Sequence, residues 1–153
     1  VLINGDHSIE DCNNITRTTL KSLFDELSSI GIYLPGVILK PSMVISGDKN
    51  SNRANYETVA EMTVKCLKDI CPKDLGGVAF LSGGQTNDEA TNHLSLMNSG
   101  KYDLPWRVTF SYARAIQQSA LNTWSGKDEN HDSAQTILSE RAKLCSEASI
   151  GNS

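Results

Sequence analysis

Gly77-Val78-Ala79-Phe80-Leu81-Ser82-Gly83-Gly84-Gln85-Thr86-Asn87-Asp88-Glu89 is the stretch from which the fold of this chain is read. A glycine and four apolar residues make a short run suited to a buried strand. Ser82-Gly83-Gly84 closes it. Thr86, with Glu89 three residues on, forms a capping box, so a helix opens directly behind the turn. Its inner face is Ala90, Leu94 and Met97. The stretch is one complete strand–turn–helix unit.

The same order recurs on both sides. Upstream, Leu20, Leu23, Phe24, Leu27 and Ile30 follow helical spacing, with Gly31 as the stop. Val37-Ile38-Leu39, after Pro35-Gly36, reads as a second buried strand, and a polar loop fills Ser46 to Asn52. Val59, Met62, Cys66, Leu67 and Ile70 mark another helix ending before Pro72. Downstream, Pro105-Trp106 leads into a third strand over Arg107 to Phe110. Two helical stretches follow, one carrying Ile116, Ala120 and Trp124, the other Ala134, Ile137, Arg141, Leu144 and Ala148. Ser125-Gly126 parts them, and residues 149–153 are expected to fray into the start of a flexible tail. Val1-Leu2-Ile3 reads as part of a further strand. A chain that opens inside an apolar run without a methionine is expected to be a fragment.

Strands alternating with helices predict an α/β fold built on a parallel sheet, with short apolar strands covered on both faces. A closed (β/α)8 TIM barrel takes about 250 residues, so this chain supplies about half of one. An open doubly wound sheet is the other architecture the pattern allows.

Composition narrows the function classes. The 153 residues are 39% apolar, enough for one core, and 21% charged, which excludes a disordered tail. The net charge is −4 without clustered Lys and Arg, which argues against a nucleic-acid surface. No run of roughly 18 apolar residues is present, so no spanning helix and no membrane insertion are expected. Nothing in the first residues reads as a secretion signal. The cysteines Cys12, Cys66, Cys71 and Cys145 form no CxxC pair and are expected to be reduced thiols. His7, His93 and His131 lack metal-ligand spacing and read as solvated or satisfied side chains.

The chemistry gathers at the C-terminal ends of the three strands, where α/β folds collect ligands. Lys40 follows three apolar residues. A lysine partly in low dielectric loses some of its preference for the ammonium form, and a neutral amine can attack a carbonyl. Pattern alone favours the plainer outcome, a strand-end lysine reaching solvent. Ser82-Gly83-Gly84 lets backbone approach a ligand closely and leads to a helix N-terminus that offers N–H groups to an anion; a tight turn needing positive φ explains the glycines equally well. Ser111-Tyr112-Ala113-Arg114 again enters a helix, and the Arg114 fork suits a phosphate oxygen or the surface. Three such ends together point to one phosphorylated carbonyl substrate.

Leu39-Lys40-Pro41-Ser42-Met43, Phe80-Leu81-Ser82-Gly83-Gly84-Gln85 and Thr109-Phe110-Ser111-Tyr112-Ala113-Arg114-Ala115 resemble class I fructose-bisphosphate aldolase in order and interval. Gly5-Asp6-His7 and Ala120-Leu121-Asn122-Thr123-Trp124-Ser125-Gly126-Lys127 extend the resemblance over almost the whole chain, as the C-terminal half of that enzyme. The resemblance implies a (β/α)8 barrel with residues 1–148 covering about strands 6–8, and Lys40 as the Schiff-base lysine on the sixth. It also implies that Ser82, Gly83 and Gly84 hold the substrate 1-phosphate and that Ser111, Ala113 and Arg114 complete that side. Ala113 stands where the family usually has glycine, and Ser42 where it usually has asparagine. The family's glutamate acid/base falls upstream of Val1, and its tyrosine-ended tail is missing. The 153 residues alone are therefore expected to turn over little substrate and to expose aggregation-prone sheet edges. No metal or other cofactor is implied, because the iminium itself serves as electron sink. A cytoplasmic homotetramer acting on a phosphorylated sugar is implied, and a cytoskeletal or adhesin-tail partner is the interaction reading.

Overall fold

The computed structural model describes residues 2–152. Five helices and three strands follow in the order α1 (Ile9–Ser29), β1 (Ile38–Leu39), α2 (Tyr56–Ile70), β2 (Gly77–Phe80), α3 (Asn87–Asn98), β3 (Val108–Phe110), α4 (Arg114–Trp124) and α5 (His131–Ala148). The strands form one parallel sheet in the order β1-β2-β3. Each strand is followed by a helix, as the alternation predicts.

Local chemistry sets the element ends. Thr86 Oγ1 accepts from Glu89 N–H at 3.1 Å while the Glu89 carboxylate accepts from Thr86 N–H at 2.7 Å, the reciprocal box read from the sequence. Ser8 and Asp11 make the same arrangement at the start of α1. That helix therefore begins well before Leu20, with Ile9, Cys12 and Thr16 buried. Gly31, at φ +71°, follows its C-cap. Asn55 caps α2, and Pro72 stands just past its last turn.

Strand alternation sorts the sheet's two faces. Val78, Phe80 and Val108 are buried in one core with Val59, Val64, Leu94 and Met97. Ile38 and Thr109 are on the opposite face and exposed, Ile38 to 60%. The expectation of a sheet covered on both faces thus fails among the described residues: helices cover one face. The strand expected at Val1-Leu2-Ile3 is not formed by Leu2 and Ile3, and Val1 lies outside the described residues. Instead this segment joins the loop after β1, with Asp48 N–H donating to Ile3 O at 3.0 Å and Lys49 N–H to Gly5 O at 2.8 Å.

α4 and α5 pack as a hairpin around Ser125 and Gly126, both in the left-handed region. Trp124 and Leu144, expected inside, are 43% and 40% exposed. These outermost helices have α3 on one side only, so Ala120, Arg141, Cys145 and Ala148 suffice to line the contact. Residues 149–152 turn at the end of α5, with Asn152 N–H donating to Glu147 O at 3.0 Å; Ser153 lies outside the described residues. No helix among the described residues is long and apolar enough to cross a membrane.

Candidate functional site

Parallel pairing brings the three strand ends level. Beyond the strands proper, Leu81 N–H donates to Pro41 O at 3.0 Å and Ser111 N–H to Phe80 O at 2.8 Å. Lys40, the 82–84 loop and the 111–114 loop therefore emerge along one edge. A cleft of about 470 Å³ opens there, lined by Lys40, Ser42, Gly83, Gly84 and Arg114 together with Leu39, Met43, Leu81 and residues of α1. Lys40 is exposed at this edge.

A Cβ on Gly83 would stand 3.6 Å from Arg114 Nη2, so the guanidinium lies close over the loop backbone. Gly84 has φ +74°, and a Cβ there would collide with Ile3, so both backbone angle and space require glycine. Gln85 N–H returns to Ser82 O at 3.3 Å and closes the turn. No side chain caps α4 at Ala113. Such unpartnered helix starts suit an anion. Of the residues expected to bind substrate, the cleft brings together Lys40, Gly83, Gly84 and Arg114. Ser82 is buried, and neither Ser111 nor Ala113, both exposed, reaches the lining. The charged groups on the lining are Lys40 and Arg114, with no carboxylate among the described residues. This is a cationic cleft with apolar walls. No group of His, Cys, Asp or Glu among the described residues is placed to hold a metal ion.

Behind the loops lies a layer of buried polar side chains that strand-end reasoning does not reach. His93, 2% exposed, donates from Nδ1 to Gln85 Oε1 at 2.7 Å, and its ring meets Tyr56 edge-on at 5.2 Å between centroids. Burial holds its pKa down to about 4, with Glu89 pulling it up and Arg53 pushing it down. Its Nε2 and the Gln85 Nε2 have no hydrogen-bond partner among the described residues. The His93 expectation is thus met at one nitrogen only. Tyr112 O–H donates to Ala90 O at 2.8 Å, tying the third strand end to α3, and burial raises its phenol above the usual range. Arg141 lies buried against the first turns of α3 and α4. Its one legible signal was an arginine inside an apolar stripe. All four cysteines are free and buried, and burial raises Cys66 to about 11 and Cys71 to about 12.

A parallel βα sheet whose strand ends bring a lysine, a glycine-rich loop and an arginine to one cleft is the arrangement of a βα-barrel segment with its ligand edge at the strand C-termini. The profile described as fructose-bisphosphate aldolase class-I matches residues 1–153, and the chain belongs to that family. It is 49% identical over 153 residues to a probable class 1 fructose-bisphosphate aldolase of Xanthomonas campestris pv. campestris, covering 99% of this chain and 45% of the relative. It is 42% identical over 151 residues to the cytosolic fructose-bisphosphate aldolase 4 of Arabidopsis thaliana, covering 99% and 38%. Among solved structures, fructose-bisphosphate aldolase from Plasmodium falciparum, in complex with TRAP and a small molecule inhibitor, superposes with a TM-score of 0.93 at 42% identity, covering 99% of this chain and 43% of that one. The chain spans less than half the length of these relatives. Its three-stranded sheet is part of a (β/α)8 barrel, which settles the architecture against the open doubly wound sheet.

Proposed function

We propose that these residues form the amine-bearing, phosphate-gripping part of an aldolase that reversibly cleaves fructose 1,6-bisphosphate into dihydroxyacetone phosphate and glyceraldehyde 3-phosphate. Lys40 is the nucleophile. Its neutral amine adds to the C2 ketone, and loss of water leaves an iminium. A base takes the proton of the C4 hydroxyl, the C3–C4 bond breaks, and its electron pair moves into the iminium to give an enamine. The aldehyde product departs, the enamine is protonated at C3, and water hydrolyses the new iminium to free the ketone phosphate and the lysine. The N–H groups of Gly83 and Gly84, the Ser82 hydroxyl and the Arg114 fork hold the 1-phosphate, with Ser111 and Ala113 at its border.

One observation carries this reading: Lys40, Gly83, Gly84 and Arg114 line a single cleft. That lining has no carboxylate among the described residues, so the proton-moving groups are assigned to the part of the relatives outside the match. The cytosolic setting follows the naming of plant relatives, and the homotetramer the family resemblance. A non-catalytic phosphosugar-binding or partner-docking role is the lesser reading, because it leaves Lys40 at the cleft without a task. The test is borohydride trapping with dihydroxyacetone phosphate, read by peptide mass. An adduct confined to Lys40 and lost in Lys40→Met is expected, with negligible cleavage of the bisphosphate. A folded chain that traps no ketone, or traps it on another lysine, refutes the assignment.

A further inference from the structure

We propose that Arg141 is a positioning residue for phosphate binding, one that holds the 82–85 and 111–114 loops at a fixed spacing without touching the ligand. The inference rests on reading those loops as the phosphate grip. Arg141 belongs to α5, and only 9% of it is exposed. A guanidinium so placed is costly unless its donors are met. Here they are met across two elements: Nε donates to Ala115 O at 3.1 Å, and Nη2 to Asn87 O and Thr91 Oγ1, each at 2.9 Å. Nη1 stands 3.7 Å from the Asp88 carboxylate.

The acceptors matter by their location. Asn87 is the first residue of α3, directly behind the Ser82-Gly83-Gly84-Gln85 turn, and Ala115 adjoins Arg114 in the first turn of α4. One rigid planar fork thus spans the two helix starts on which the two anion loops are mounted. Asn87 Nδ2 donating to Ser119 Oγ at 2.9 Å and Tyr112 O–H donating to Ala90 O at 2.8 Å tie the same pair of elements. Gly83 and Arg114 approach one ligand from different loops, so their joint grip depends on this spacing. A lysine at 141 would keep the charge but offers a point-like head that cannot replace the fork. Displacing a positioned group by about 1 Å weakens its action up to roughly 100-fold.

The experiment is an amide NMR titration of the 153-residue chain with inorganic phosphate, well below its unfolding temperature. In the unchanged chain the amides of Gly83, Gly84 and Arg114 are expected to shift together along one binding curve. In Arg141→Lys, binding weakens about tenfold, and the Gly83–Gly84 and Arg114 shifts separate onto different curves, which loss of stability alone does not produce. Lys143→Met, on the same helix and exposed, leaves binding unchanged. Should Arg141→Lys not fold, Thr91→Val, which removes one acceptor of the fork, carries the comparison with the same two outcomes. A folded Arg141→Lys variant that binds like the unchanged chain, with the loops still shifting together, overturns the proposal. So does equal weakening in Lys143→Met, which would show that substitution anywhere on α5, and not loss of the fork, loosens the grip. If the unchanged chain itself shows no response at Gly83, Gly84 and Arg114, the phosphate reading of the loops falls first and the role of Arg141 with it.

Discussion

Acidification should destabilise this fold at a pH set by one buried ring. His93 is 2% exposed, and burial lowers its pKa from 6.5 to about 4. The unfolded chain therefore takes up a proton at His93 near pH 6.5, whereas the folded chain resists it until near pH 4. A group whose folded pKa is depressed contributes stability that is complete above the unfolded value and is lost as pH falls through this window. Linkage gives a loss of about 2 kcal/mol by about pH 5 and about 3 kcal/mol by about pH 4. Asp11 and Asp69, held below 3.8 by their hydrogen bonds to Ser8 and to Arg17 and Lys65, act in the same direction but at lower pH. Urea unfolding of the chain and of His93→Leu across pH 4 to 7 isolates the ring. The variant is less stable near neutrality, because Gln85 Oε1 loses its donor. The two stability curves should then converge as pH falls, by about 2 to 3 kcal/mol. Parallel curves, or a His93 ring proton signal that titrates near pH 6.5 in the folded chain, would refute the reasoning.

Gly84→Ala forces a side chain into the left-handed region and against Ile3, and a loss of about 1 to 3 kcal/mol in chemical denaturation is expected, with phosphate binding weakened alongside. An unchanged unfolding midpoint would mean that the turn relaxes freely. The four buried cysteines, with Cys66 and Cys71 raised to about 11 and 12, are expected to react with a thiol reagent at neutral pH only as fast as the chain opens, so mild urea accelerates labelling; rapid stoichiometric labelling of the folded chain would contradict that packing.

What could be read in advance was whatever the chain states locally. The Thr86–Glu89 box, the Gly31 stop and the β2 run each depend on neighbours a few residues away, and each is found where the pattern puts it. The Ser8–Asp11 box uses the same chemistry and was overlooked because aspartate takes the place of the usual glutamate. Helix spacing overstated burial at Ile30, Trp124 and Leu144, since periodicity identifies a face but not whether a neighbour covers it. Lys40, Gly83, Gly84 and Arg114 could be assembled from strand ends because parallel strands in register must bring such ends to one edge. The supports behind them could not. His93 with Gln85 and Tyr112 with Ala90 pair residues on different elements or successive turns, and Arg141 reaches α3 from about fifty positions away. Nothing local in sequence announces a contact over that distance.

The cationic cleft, whose lining has no carboxylate among the described residues, has a consequence, under the proposed function, for how such a catalyst changes over generations. In that reading, holding the phosphate and storing the electron pair fall to one stretch of polypeptide, while acid–base strength is assigned to another. Substitutions in the present residues would then retune which phosphorylated ketone is held and leave the proton inventory untouched, and a shift in optimal pH would arise elsewhere without loosening the hold. Selection on substrate range and selection on proton transfer would act on separate tracts of the gene.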